Sequence, residues 1–294
     1  MTTTPRIALV TGATQGLGRA LVEGLARRLA PTDVVLLTSR DPDRVERAAS
    51  DTRSRTSTVA RVEGRALDVT DDRAVRALAG ELDDRFGGVD LVFSNATART
   101  SPERAPEDQI DAQLDTSNVA TSRLLRTILP LVRDGGTFLV VASALGTLEQ
   151  LPEGVRPRFA EAATLDDVDA VIEELRAEVH AGTAEAHGWP HWLNVPSKVG
   201  QVAATRAVAA SRRDEDLRTG TLLASVCPGL IDTGASRPWF ADMSTAQTPE
   251  QAAVAVLDLA LTRPLDPTHY GELVQFGTVL PWEGRVETGH HADA

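Results

Sequence analysis

Residues 6–20 read Arg6-Ile7-Ala8-Leu9-Val10-Thr11-Gly12-Ala13-Thr14-Gln15-Gly16-Leu17-Gly18-Arg19-Ala20, and the rest of the chain is read outward from them. Ile7 to Val10 is a short apolar run, the glycine-bearing turn follows at once, and Ala20, Leu21, Val22, Leu25 and Ala26 then recur at helical spacing. The pattern predicts a buried strand, a glycine turn and a helix. Glycines at 12, 16 and 18 let the backbone come close to a pyrophosphate, and the free N–H groups of the helix start point at its charge. Thr11 is placed to tie the turn to a neighbouring strand. A glycine pattern alone is a weak signal; its place at the first strand–helix junction gives it weight.

The same alternation continues. Strands are predicted at Val34–Thr38, Arg61–Leu67, Val89–Phe93, Gly136–Val141 and Leu222–Val226, with a seventh over Glu272–Phe276. Helices are predicted over Asp43–Ala49, Asp71–Phe86, Ile110–Leu129, a segment from just before Lys198 to Ala210, and Pro249–Leu261. Continuous apolar strands suit a parallel sheet buried on both faces. The expectation is a single α/β domain over residues 1–294 with a doubly wound Rossmann fold and a central, mostly parallel seven-stranded sheet. Residues 150–192 break the rhythm with Pro152, Pro157 and Pro190. Within them Leu165–Val179 reads as an inserted amphipathic helix, with Val168, Val171, Ile172 and Leu175 on one side, serving as a lid or a packing element.

Composition narrows the function. The net charge of −12 argues against nucleic acid or an anionic membrane as partner, though not against one small anionic cofactor. The single cysteine, Cys227, excludes an internal disulfide and a cysteine-based zinc site, and no metal is expected. The start MTTTPR lacks the layout of a secretory leader, and no run reaches the roughly 18 apolar residues that span a bilayer. A cytoplasmic protein acting on a small molecule is the expectation.

Ligands in such sheets bind beyond the carboxyl ends of the strands. Six motifs at those ends, in order TGATQGLG (11–18), LDV (67–69), SNA (94–96), VVAS (140–143), SK (197–198) and CPGLIDT (227–233), resemble the short-chain dehydrogenase/reductase family over nearly the whole chain. The long insertion and Gly188-Trp189-Pro190 are similar to the monomeric carbonyl reductases within it. The resemblance implies a cofactor site of Gly12, Thr14, Gln15, Gly16, Leu17 and Gly18 at the pyrophosphate, Asp68 and Val69 at the adenine, and Asn95 and Ala96 beside the ribose. It also implies Lys198 on the nicotinamide ribose, Pro228, Gly229, Ile231 and Thr233 along the nicotinamide, and Ser143 on the substrate oxygen. It implies a monomer, the insertion covering the face that other members use to assemble.

One position departs from the pattern. The family's tyrosine, four residues before the lysine, is Asn194 here, and the only tyrosine is Tyr270 near the last strand. A phenol beside a lysine can donate a proton near neutral pH; an amide can hydrogen-bond but supplies no such proton. The family's helix asparagine falls at Ser117, with Asn118 one residue away, and the glycine after Asn95-Ala96 is Thr97. His191 and the more distant His187 are the nearby histidines, Trp192 and Trp239 are candidates to wall a pocket, and Cys227 reads as buried and inert.

The second strand ends at Ser39-Arg40 with no carboxylate to hold a ribose 2′-hydroxyl. Arginine can pair with a 2′-phosphate, so the expected cofactor is NADP(H). The function these residues imply is NADPH-dependent hydride transfer to a small carbonyl or enone, at a site of Ser143, Asn194, Lys198 and Ser117 without the tyrosine. A non-redox cyclase or isomerase on the same scaffold, and a catalytically silent dinucleotide-binding protein, stay open beside it.

Overall fold

The computed structural model describes residues 4–55 and 59–284; residues 1–3, on which part of the leader reading rests, lie outside the described residues. Among the described residues eight strands form one sheet: β1 (Ile7–Val10), β2 (Val34–Ser39), β3 (Arg61–Ala66), β4 (Val89–Ser94), β5 (Val132–Val141), β6 (Leu222–Cys227), β7 (Leu273–Gln275) and β8 (Thr278–Leu280). They lie in the order β3-β2-β1-β4-β5-β6-β7-β8. All pairs are parallel except β7 with β8. The sequence predicts seven strands; the eighth comes from a hairpin at Phe276 and Gly277, both at positive φ (49° and 77°). Phenylalanine rarely takes that conformation, so nothing local announces the turn. β5 also begins earlier than predicted, running through Asp134-Gly135-Gly136.

The helices are α1 (Gly16–Arg28), α2 (Pro42–Arg55), α3 (Asp72–Phe86), α4 (Ile110–Leu114), α5 (Ala120–Thr127), α6 (Arg156–Ala160), α7 (Leu165–His180), α8 (Asn194–Thr219) and α9 (Pro249–Leu261). α4 and α5 are the one long helix predicted over 110–129, interrupted by a π-helical turn at Asp115–Val119. Such widened turns aim side chains that a regular helix would point elsewhere. The inserted α7 forms as expected, opened by a Thr164–Asp167 capping box. Val168, Ile172, Leu175 and Val179 are its buried residues. Arg176 ties it to Asp111 and Asp115, and Asp169 pairs with Arg126 of α5. A Cβ on Gly200 would lie 2.7 Å from Ile172 and 2.8 Å from Asn118, so glycine there lets α7 and the π turn meet α8. No described helix is long and apolar enough to cross a membrane.

Strand order reverses between β1 and β4, and a crevice opens at that switch point beyond their carboxyl ends. Thr11 closes the base of it. Its buried hydroxyl accepts from Asn95 N (2.9 Å) and Ala96 N (3.0 Å) and donates to the Phe93 carbonyl (3.3 Å). Thr11→Val keeps the shape but strands two backbone donors, at about 1–3 kcal/mol each. We expect denaturant unfolding to show a loss of roughly 2–4 kcal/mol in that variant.

Candidate functional site

The glycine turn is built for close approach. A Cβ at Gly12 would lie 2.8 Å from the Ala96 Cα, and one at Gly18 would lie 2.5 Å from the Gly12 carbonyl oxygen and 2.6 Å from the Asn95 amide nitrogen. Gly12 and Gly16 also sit at φ 63° and 54°. Across the turn, a Cβ on Gly16 would lie 3.6 Å from the Thr233 methyl. α1 starts at Gly16 with no side-chain cap and no acidic residue in its first turn, so its N–H groups and positive dipole end are offered to an anion. The cradle therefore fits a dinucleotide pyrophosphate, with Thr14, Gln15 and Leu17 of the same turn around it. Asn95 faces the turn itself: its amide donates to the Thr11 and Gly12 carbonyls (2.9 and 3.3 Å). Ala96 is the backbone on which Gly12 rests.

At the end of β2, Ser39 is half-buried and Arg40 is exposed, without a protein partner among the described residues. In the first turn of α2, Arg44 donates to Gln15 Oε1 (3.1 Å), and Arg99, from the loop after β4, donates to the same oxygen (2.8 Å). Sequence reasoning missed both arginines. Arg44 had a signal, a second basic residue shortly after Arg40 at the start of the helix that follows β2; Arg99 reaches Gln15 only through the fold. Asp68 accepts from Thr70 N and Oγ1 (2.9 and 2.7 Å), and Val69, buried, has its carbonyl held by Arg123 (2.7 Å). After β6, Gln247 holds the Pro228 carbonyl (3.2 Å) and bridges Ile231, while Thr233 and Ser236 fold the next turn. A Cβ at Gly229 would come within 2.7 Å of Gln247.

The residues expected at the substrate lie between β5 and α8. Ser143 follows β5, half-buried, and caps the short turn Ala144–Gly146 by accepting from Leu145 N (3.2 Å). That turn packs on α8: a Cβ on Gly146 would lie 3.1 Å from the Lys198 carbonyl. Lys198 is buried, and its ammonium donates to Gln201 Oε1 (2.7 Å) and the Val141 carbonyl (3.3 Å). Burial lowers its pKa to about 8, against which nearby Cys227 acts weakly. Cys227 is buried as expected; the same loss of water raises its thiol pKa, and Gln275 donates to its sulfur (3.2 Å).

Asn194 opens α8, one turn before Lys198. Pro196 is tolerated there because the first turn needs no N–H from it. Asn194 is half-buried and lines a cleft with Gln109, His191, Trp192 and Trp239. Trp192 stacks on Trp239 at 5.3 Å and meets Phe240 edge-on at 5.9 Å. The two tryptophans are thus a wall of this cleft. His191 is largely exposed and paired with Glu185 (3.0 Å). His187 is turned away to Glu178 (3.0 Å). Tyr270 is remote in function as well as sequence: it is buried, donates to Asp216 (2.6 Å), and loss of water, then the adjoining carboxylate, pushes its pKa up beyond the normal phenol range.

Ser117 and Asn118 both lie in the π turn and point different ways. The Ser117 hydroxyl pairs with Thr97 (3.1 Å), whereas Asn118 reaches α8, donating to the Ser197 carbonyl (2.9 Å) and accepting from Ser197 Oγ (2.7 Å). The widened turn is the reason neighbouring residues separate so completely. Gln113, which sequence reasoning passed over, is buried beside them and donates to Asn194 Oδ1 (3.4 Å) and Ser197 Oγ (3.2 Å). Among the described residues no group of His, Cys, Asp and Glu is arranged to hold a metal.

Comparison with known proteins agrees with this architecture. A family pattern described as short chain dehydrogenase matches residues 6–155. Carbonyl reductase [NADPH] 3 of Mus musculus is 30% identical over 96% of this chain and 100% of its own length. Carbonyl reductase [NADPH] 1 of Rattus norvegicus is 26% identical over 94% of this chain and 98% of its own. Among solved structures, salutaridine reductase from Papaver somniferum superposes with a TM-score of 0.76 at 21% identity, covering 91% of this chain and 99% of that one. Menthone neomenthol reductase from Mentha piperita gives 0.74 at 21% identity, covering 94% and 100%. With its strand-end motifs, its cradle and its match over half its length and more, the chain belongs to the short-chain dehydrogenase family.

Proposed function

We propose that this protein is an NADPH-dependent reductase of α,β-unsaturated carbonyl compounds. The single observation that carries the reading is the place of Asn194: it faces the cleft one helical turn before a buried lysine, where a proton donor would stand, yet its amide can only hydrogen-bond. An enone asks no more of that position. When bound, NADPH would supply the hydride for the β-carbon, and a proton from water would complete the α-carbon, giving saturated ketone and NADP+ overall. During transfer the oxygen carries negative charge, and Asn194 Nδ2–H and the Ser143 hydroxyl are the two donors the chain offers to it. A simple ketone would instead need a proton on its oxygen.

Lys198 serves the ribose hydroxyls in this reading. Arg44 and Arg99 at Gln15, with Arg40 exposed at the end of β2, support the choice of NADPH, as do the names of the curated relatives, which carry [NADPH]. The insertion supports a monomer, since α7 already lies over α4, the π turn and α8.

Calorimetric titration should show tighter binding of NADPH than NADH, with Arg40→Ala and Arg44→Ala each removing most of the difference. A charge-assisted hydrogen bond is worth about 1.5–3 kcal/mol, or roughly tenfold to a hundredfold in affinity. Equal affinity of the unaltered protein for both would overturn the cofactor assignment. Light scattering should return a mass near 31.3 kDa; a stable tetramer would contradict the monomer. Asn194→Tyr should bring measurable NADPH-dependent reduction of simple ketones, since general acid help is typically worth about a hundredfold to ten-thousandfold. The same change should leave enone reduction unimproved. A folded, NADPH-binding variant with no ketone reduction would count against the reductase reading.

A further inference from the structure

The buried polar groups behind Asn194 form a chain whose direction is fixed at one end. The Ser197 carbonyl can only accept, so Asn118 presents Nδ2 to it (2.9 Å). The Asn118 oxygen is then the atom that faces Ser197 Oγ, and the serine proton goes to it (2.7 Å). With its proton committed, Ser197 Oγ can only accept from Gln113, which therefore offers Nε2 (3.2 Å). The same Nε2 faces Asn194 (3.4 Å), so Asn194 turns its oxygen inward. The amide N–H2 of Asn194 is left for the cleft, with no protein partner among the described residues. Gln113, Ser197 and Asn118 are all at most 4% exposed, so water does not scramble the order.

Resting on the reductase reading, we propose that Gln113 is a positioning residue which locks the Asn194 amide as a donor, and that this polarity selects substrates whose oxygen becomes an anion during reduction. With Asn194 reversed, its oxygen would face the cleft and repel that anion. A glutamine, whose N–H2 can give two hydrogen bonds, suits the junction because it donates to both neighbours at once.

Gln113→Glu tests this, because it conserves shape and turns a double donor into an acceptor. Its carboxylate would draw Asn194 Nδ2 inward and expose the oxygen. Two readouts are taken on the folded protein, checked by circular dichroism. The first is reduction of 2-cyclohexen-1-one by NADPH. We expect kcat to fall roughly a hundredfold near neutral pH, the scale of losing one oxyanion donor, with KM little changed. Activity should return as pH is lowered, since the introduced carboxyl, once protonated, again donates to Asn194. The charged and titratable groups on the elements around α4 include Glu107 and Asp108 on the turn before it, Asp111 and Asp115, Glu173, Arg176 and His180 of α7, and Lys198 of α8. They are shared with the unaltered protein, whose profile measured in parallel isolates the new carboxyl.

The second readout needs no turnover: 4-nitrophenol, whose anion absorbs in the visible, should bind the unaltered protein ionised and the Gln113→Glu variant neutral at the same pH. The effect should vanish in an Asn194→Ala background, which separates action through Asn194 from general damage. Should the substitution prevent folding, Gln113→Met, which merely frees Asn194 to rotate, is expected to reduce the ionised fraction by a smaller factor. Unchanged kcat, pH profile and phenolate ionisation in a folded variant would overturn the proposal while leaving enone reduction standing. Absence of enone reduction in the unaltered protein would overturn the reductase reading, and the phenolate measurement would still decide the role of Gln113.

Discussion

The site depends on how closely the first turn is allowed to approach the end of β4. Gly12 rests on the Ala96 backbone, Gly18 rests on Gly12, and the Thr11 hydroxyl takes the two N–H groups that leave β4. No added side chain fits between these layers, so the crevice at the strand-order reversal has a floor of backbone tied together by the Thr11 hydroxyl and the Asn95 amide. A floor of that kind is rigid and has its donors already aimed, which is what a diphosphate requires. Everything farther out is positioned relative to it: the loop after β6 through Thr233 at Gly16, and the arginines through Gln15.

The opposite wall is held by a different kind of contact. α8 carries Asn194 and Lys198, and its register against the sheet is set by the π turn, with Asn118 gripping the Ser197 backbone and α7 braced behind at Gly200. The insertion is thus more than a cover. Its Arg176 pairs with Asp111 and Asp115, on either side of Gln113, and so steadies the stretch of chain from which the cleft is served.

Much of this was legible in the sequence. The glycine turn, the parallel strands and the bounds of α9 follow from local pattern, because apolar runs and caps act over a few residues. What escaped is what only three-dimensional contact creates. β8 depends on a phenylalanine at positive φ, and β5 starts ahead of the predicted Gly136, running through Asp134 and Gly135, residue types disfavoured in strands. The π turn looks like ordinary helix in sequence. Gln113 sits among alternating polar residues with nothing to mark it, and acquires meaning only when Ser197, Asn118 and Asn194 arrive from other elements. The absent tyrosine was plain to see, whereas the polar chain behind Asn194 was not.

The stacked Trp192–Trp239 pair gives the protein an optical reporter at its own mouth. Four tryptophans and one tyrosine make up its strong near-ultraviolet absorbers, and that tyrosine is tied up against Asp216 far from the cleft. Two indoles 5.3 Å apart and 23° from parallel couple their transitions. Any ligand that wedges between the loop bearing Trp239 and the start of α8 would alter that coupling, so occupancy of the cleft can be followed in the near-ultraviolet circular dichroism without a label.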